Sequence, residues 1–237
     1  MALTQAVPLL NPRSFASRSR LRDLSETAIA FGLILMVIWT PQPWQYLLWW
    51  AACIAVLTMI CLSFESLSAM GLHAANLFRS LWVVGLALGL SALAMLLAAR
   101  MHTLHMPASP ILFVKSFSGY AIWAGVQQFL LQCFFLSRLL RLIPNRRNVV
   151  WVAAALFAVA HLPNPLLTVV TVFWGAAACL LYLRYRNLYP LMIAHAILGI
   201  AVAITVPGPV DHNMRVGLGY LSYSRHMEAH NFHRPSL

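Results

Sequence analysis

Five polar side chains stand inside long apolar runs, and their types and spacing suit them to chemistry. They are Gln127, Gln128, Gln132, His161 and His195. A polar side chain in hydrocarbon costs free energy unless it is paired, so such a group marks a candidate site. Amides donate and accept hydrogen bonds, and a neutral imidazole accepts a proton near neutral pH. For Gln132 a structural role is equally open, because buried glutamines often bond neighbouring helices together.

Helical spacing decides which of these side chains work together. Gln128 and Gln132 are four residues apart and share one helix face, whereas Gln127 lies about 100° round the helix. Cys133 and Ser137 lie about 140° and about 180° from Gln128, which disfavours a cysteine or serine nucleophile. We expect the carboxylates in arms, connectors or the tail, with none at mid-span. They are Asp23, Glu26, Glu65, Asp211 and Glu228.

Membrane-spanning helices must position these side chains. Charged residues make up 9% of the chain and hydrophobic residues 61%, whereas soluble domains carry about 25% charged residues. We predict an all-α, polytopic membrane helix bundle of about seven transmembrane helices. The predicted spans are 24–40, 44–63, 80–99, 117–143, 149–162, 166–184 and 190–207. Residues 1–23 form a polar basic arm, 24–207 the bundle and 208–237 a polar tail.

The net charge of +11 reflects arginines in short loops beside apolar runs, as the positive-inside rule expects. Nucleic-acid binding is therefore disfavoured, and membrane lipids are the expected partners. The charge distribution predicts a cytoplasmic N-terminus and an outside C-terminus. The size and the lack of organelle signals favour a bacterial cytoplasmic membrane. The first span is expected to be retained, because Asp23 and Glu26 interrupt the approach expected of a signal peptide.

Three segments together resemble a known family. They read VQQFLLQCFFLSRLL, LFAVAHLPNP and WGAAACLLYLRYRNLYPLMIAHAILG. In order and spacing they are similar to the CPBP intramembrane metalloproteases, which include CAAX prenyl endopeptidases of the Rce1 type and bacterial Abi proteins. The resemblance covers about residues 68–200. The family motifs are EExxxR, FxxxH and HxxxN/D, on separate helices.

The second and third motifs are largely kept. Phe157 and His161 form the FxxxH motif, and His195 is the histidine of the third motif. Gly199 stands where the family carries Asn or Asp. The resemblance implies that the histidines and this Asn or Asp position water and stabilise the oxyanion.

The first motif is changed at every ionisable position. Gln127 and Gln128 replace both glutamates, and Gln132 replaces the arginine. In the family a glutamate here is thought to activate water for attack on a peptide bond. A neutral amide cannot accept that proton, and losing a general base typically costs about 10²–10⁴-fold in rate. A histidine base, with the glutamines as oxyanion donors, is the remaining route.

Two hypotheses follow from the resemblance. The first is an intramembrane endopeptidase acting on a membrane-embedded or prenylated peptide, with the catalytic set Gln127, Gln128, Gln132, His161 and His195. Phe157 and Asn164 would bind the substrate. A divalent metal such as zinc, if present, would be held by the two histidines, although catalytic zinc usually has three protein ligands. The second hypothesis is a non-catalytic pseudoprotease scaffold that binds a partner helix or a lipid.

Overall fold

The computed structural model describes residues 20–223, and its regular elements in that range are all helical. The helices between Arg20 and Asp211 are α1 (Arg20–Trp39), α2 (Trp44–Leu62), α3 (Leu77–Ser80), α4 (Trp82–Arg100), α5 (Pro110–Phe129), α6 (Ser137–Leu142), α7 (Arg146–Val159), α8 (Pro165–Tyr185), α9 (Tyr189–Thr205) and α10 (Gly208–Asp211). Residues 1–19 of the predicted arm and 224–237 of the predicted tail lie outside the described residues. α1 begins inside the predicted arm, and α10 lies inside the predicted tail.

Three described helices are long and apolar enough to cross a membrane. They are Trp44–Leu62, Leu77–Arg100 and Pro165–Tyr185, and Tyr189–Thr205 is a shorter apolar helix. Together with the all-helical architecture, these helices confirm the predicted all-α membrane bundle. The total of seven spans stays a prediction.

Local sequence explains where several helices begin. The Ser109 hydroxyl accepts a hydrogen bond from Leu112 N, and Pro110 occupies the first turn of α5. The side chains of Asn145 and Asn164 cap α7 and α8 in the same way. Such caps satisfy amide groups that the first helical turn leaves without partners.

The predicted fourth span is longer and less regular than expected. α5 continues through a π-helical segment, Leu130–Leu136, directly into α6. π-Helical turns are rare and often occur at functional sites. This one contains Gln132 and follows Gln128 by two residues, so it changes which way the side chains after Gln128 face.

The bundle core forms where α9 packs between α4 and α5, and α7 packs against α8. Alanines with no exposed surface, among them Ala153, Ala154, Ala178 and Ala194, allow these helices close contact. The α1–α2 hairpin packs mainly against α6 and the π-helical segment, through Ala30, Val56, Phe134 and Phe135.

The connector before α3 is fixed against the turn between α8 and α9. Asn187 Nδ2 donates to the carbonyls of His73 and Ala75, each at 2.9 Å. Leu188 N donates to Gly71 O at 2.9 Å. Gly71 has a φ of +74°, and a Cβ there would lie 2.8 Å from Arg186 O. Only glycine fits this crossing easily, which explains its place in the connector.

A buried ion-pair cluster joins α1 to α6, and we define it as Asp23, Glu26, Arg138 and Arg141. Arg138 Nε and Nη2 donate to Glu26 Oε2 at 2.8 and 2.6 Å. Arg141 Nε and Nη2 donate to the two Asp23 oxygens at 2.8 and 2.6 Å. Arg138, Asp23 and Glu26 are buried. We expected these carboxylates in arms, connectors or the tail. They instead lie in the first turns of α1, because α1 starts early enough to bring them against α6.

Candidate active site

Gln128 and His195 meet inside the bundle, where α5 packs against α9. Gln128 Nε2 lies 3.1 Å from His195 Nδ1. Both side chains are buried, and Gln128 has no exposed surface. This contact joins the first-motif and third-motif positions across 67 residues of sequence.

Gln132 extends this contact into a hydrogen-bond chain. Its Nε2 donates to Gln128 Oε1 at 3.3 Å, and Gln128 Nε2 donates in turn to His195 Nδ1. An amide nitrogen only donates, so in this arrangement His195 Nδ1 carries a lone pair and the neutral ring has its proton on Nε2.

His161 has the opposite tautomer. Its Nδ1 lies 2.7 Å from the Phe157 carbonyl oxygen, and a carbonyl only accepts, so Nδ1 carries the proton. The lone pair of the neutral ring is therefore on Nε2. The Phe157 ring lies edge-on to both imidazoles, with centroids 4.9 Å from His161 and 5.8 Å from His195. We call Gln128, Gln132, His161 and His195 the amide–imidazole cluster.

Gln127 borders this cluster without joining the hydrogen-bond chain. It is half-buried, and its side chain makes no hydrogen bond to the described part of the chain. Its amide is thus available to a bound group.

The side chain of Asn164, which was predicted to bind substrate, makes hydrogen bonds to backbone atoms. Its Oδ1 accepts from Leu167 N at 3.1 Å as the cap of α8. Its Nδ2 donates to Asp211 O at 2.6 Å and to Arg215 O at 3.2 Å. These bonds fasten residues 208–215 to the start of α8 and favour a structural role.

Two aromatic side chains near the cluster were missed from the sequence. The Trp174 ring lies 5.9 Å from His195, and its buried Nε1 has no hydrogen-bond partner within residues 20–223. Tyr120 lies over Gly199, one helical turn beyond His195. No local sequence pattern indicated Trp174. Gly199, at a position where the family carries Asn or Asp, did indicate that another side chain fills the space there, and that side chain is Tyr120.

The residues present do not fit a catalytic zinc ion. Within residues 20–223 no group of three or more His, Cys, Asp or Glu side chains converges. The two histidines offer one lone pair each, and that of His195 already accepts from Gln128. Catalytic zinc usually has three protein ligands, and the cluster offers fewer.

The candidate nucleophiles of the fourth span face other partners. Cys133 Sγ donates to Met70 O at 3.2 Å, and Ser137 Oγ donates to Cys133 O at 2.7 Å. Neither has a hydrogen bond to the amide–imidazole cluster, in keeping with the angular spacing of the sequence.

Comparison with protein families gives one match. Residues 109–201 match the model of the type II CAAX prenyl endopeptidase Rce1-like family. The matched region runs from the cap of α5 into α9 and includes every predicted site residue. Comparisons with curated proteins and with solved structures give no significant match. The match confirms the family resemblance over this region.

Proposed function

We propose that this protein is a CAAX-type intramembrane endopeptidase-like hydrolase acting on a membrane-embedded or prenylated peptide. The observation that carries the proposal is the Gln128–His195 contact at 3.1 Å. It brings two of the family's motif positions into one buried site, with the His161 ring of the other motif beside them. The Rce1-like match supports the substrate class.

His161 is the proton acceptor in this proposal. Its Nδ1 proton is held by the Phe157 carbonyl, which leaves the Nε2 lone pair for a water molecule. The water gives its proton to Nε2 as its oxygen bonds to the peptide carbonyl carbon. The imidazolium then returns the proton to the departing amine nitrogen as the carbon–nitrogen bond breaks.

The glutamines are the hydrogen-bond donors. Gln128 Nε2 uses one N–H on His195, and its second N–H makes no hydrogen bond to the described part of the chain. With the half-buried Gln127 amide it can donate to the oxygen that becomes negatively charged during attack. Donors preorganised for such an oxygen stabilise the transition state more than the ground state. His195 is therefore a positioning residue, which holds Gln128 in place.

We further propose that the N-terminus faces the cytoplasm. The start of α1 bonds to Arg138 and Arg141 of α6, and the connector bonds to Arg186 after α8. The basic ends of these helices therefore group together. Such an excess of arginines favours the cytoplasmic side.

The second candidate function is a pseudoprotease scaffold. The specific observation in its favour is that neutral amides occupy the first motif and partly satisfy each other. In that case the site binds a prenylated peptide, a partner helix or a lipid without turnover.

The test is hydrolysis of farnesylated CAAX-type peptides by the purified protein in lipid vesicles. We expect His161→Ala to reduce turnover by at least about 10²-fold, as for loss of a general base. His195→Ala should reduce kcat, and His195→Asn should recover part of it, because an Asn oxygen can still accept from Gln128. Wild-type activity in the His161→Ala/His195→Ala double variant would contradict the hydrolase.

His105→Ala is the matched control, since His105 is exposed and bonds locally to the Thr103 carbonyl. Its turnover should equal that of the wild type. Binding of the peptide without cleavage by wild-type protein would favour the scaffold.

A further inference from the structure

Gly199 and Tyr120 occupy one space between α9 and α5. A Cβ built on Gly199 would meet the hydroxyl oxygen, Cζ and Cε1 of Tyr120, with Cε1 at 2.7 Å. Real Cβ atoms essentially never have neighbours under 3.0 Å. Any side chain at position 199 therefore requires Tyr120 to move, so the bundle holds either that side chain or the Tyr120 hydroxyl.

The Tyr120 hydroxyl lies near His195 of the amide–imidazole cluster. Gly199 follows His195 by four residues, so both lie on the same face of α9, about 6 Å apart along the helix. Tyr120 precedes Gln128 on α5, and α5 packs along that face of α9. The Tyr120 hydroxyl thus lies about one helical turn from His195, in the same interface as the Gln128 contact.

The hydroxyl is also free to act. Tyr120 is half-buried, and its hydroxyl makes no hydrogen bond to the described part of the chain. A phenol O–H is a donor, and this hydroxyl is not among the fully buried atoms without a partner in residues 20–223, so it keeps some exposed surface. A bound carbonyl group would be a suitable acceptor for it.

We propose that the Tyr120 hydroxyl replaces the side chain missing at Gly199 as a hydrogen-bond donor to the carbonyl oxygen of the bound peptide. Position 199 carries Asn or Asp in the family that the chain resembles. Here the donor comes from α5 instead of α9, and glycine at 199 makes room for it. This inference rests on the proposed function, because it names a further residue of the same site.

The first test is Tyr120→Phe, which keeps the ring and removes only the hydroxyl. We expect kcat on the farnesylated peptide to fall by about 10²-fold with KM unchanged, as for loss of one oxyanion donor. Tyr46→Phe is the control, since Tyr46 is 59% exposed on α2, and it should behave as the wild type. If Tyr120→Phe has the kcat of the wild type, the Tyr120 hydroxyl is not the donor, whereas the proposed hydrolase activity is unaffected.

The second test exchanges the two side chains. Gly199→Asn alone should lower the thermal stability and abolish turnover, because the new side chain meets Tyr120. Adding Tyr120→Ala should restore stability and at least a tenth of wild-type turnover, since the introduced amide then has the space. If Gly199→Asn is as stable and active as the wild type while Tyr120 is present, the claim that the two side chains compete for one space is wrong.

If the wild-type protein cleaves no peptide, the proposed hydrolase activity is wrong. The donor role of Tyr120 is then tested by peptide binding instead of turnover. The probes are the farnesylated peptide and its analogue with the carbonyl of the farnesylated cysteine reduced to a methylene. Tyr120→Phe should weaken binding of the first probe about tenfold and leave binding of the analogue unchanged. Equal binding of both probes by wild type and Tyr120→Phe would overturn the donor role.

Discussion

The continuous helix made of α5, the π-helical segment and α6 contributes to both the ion-pair cluster and the amide–imidazole cluster. Arg138 follows Gln128 by ten residues, about 15 Å along the helix axis, yet the two clusters use opposite chemistry. In the first, two carboxylates face two guanidinium groups at 2.6–2.8 Å. In the second, uncharged amides and imidazoles bond at 3.1 and 3.3 Å. In the ion-pair cluster, each guanidinium group of α6 faces a carboxylate that α1 supplies. At the motif positions the groups are neutral, and no carboxylate of residues 20–223 bonds to them.

This comparison predicts different penalties in the two clusters. Removing one member of a buried ion pair leaves its partner charged in a poorly solvated place. Removing one neutral group leaves an unsatisfied dipole, which costs less.

The largest effect is expected for Glu26→Gln. Two guanidinium nitrogens of Arg138 donate to one Glu26 oxygen, and Arg138 is only 1% exposed. The free energy of unfolding should fall by about 3–5 kcal/mol, as for a broken buried ion pair. Denaturation in detergent micelles measures it. Glu65→Gln is the control, since Glu65 is exposed. Equal stability of the two variants would contradict the structural importance of the cluster.

Placing a charge in the neutral cluster is expected to have the next largest effect. Gln128→Glu should lower the free energy of unfolding by about 2–3 kcal/mol, because position 128 is fully buried and no arginine of residues 20–223 bonds to it. The same change removes both N–H donors of position 128, so peptide hydrolysis should fall by about 10²-fold. A rise would contradict the donor role and show that the new carboxylate acts as the base.

Gln127→Glu is the comparison variant, since position 127 is half-buried and should tolerate the charge better. Unchanged stability in Gln128→Glu would mean that water already reaches the cluster. Absence of hydrolysis in the wild type and in both variants would favour the scaffold.

A smaller effect is expected for Asn164→Ala. This variant loses a helix cap and two bonds to the backbone of residues 211 and 215. The free energy of unfolding should fall by about 1–2 kcal/mol, with KM for the peptide unchanged. Asn145→Ala removes the exposed cap of α7 and should cost less. A raised KM with unchanged stability would instead support the substrate contact predicted from the sequence.

The smallest effect concerns pH and the Asp211 carboxyl in α10, which lies beyond the helices of the bundle. Burial raises the pKa of Asp211, although backbone N–H groups oppose the shift. A raised pKa in the folded state means that the carboxyl favours folding at low pH and loses that contribution as pH rises through the folded value. Asp211→Asn should therefore flatten the decline in melting temperature as the pH rises above the ordinary aspartate pKa. A variant with the same pH profile as wild type would contradict this role.

Much of the architecture could be predicted from the sequence, because apolar runs of this length can satisfy their backbone in a membrane only as helices. The order of the helices, the three motif segments and the family resemblance all followed from local pattern. The neutrality of the first motif also followed, since it depends only on which residues stand at 127, 128 and 132.

The sequence alone therefore determined that this protein is a helical membrane bundle with histidines and amides where the motifs of the family it resembles fall. Only the tertiary structure decided which contacts each of those side chains makes. Gln128 reaches His195 while Gln127 does not, Asn164 caps a helix, and Tyr120 fills the space at Gly199. These outcomes depend on how α5 and its π-helical continuation rotate against α9, and that packing is set by contacts between residues far apart in the chain.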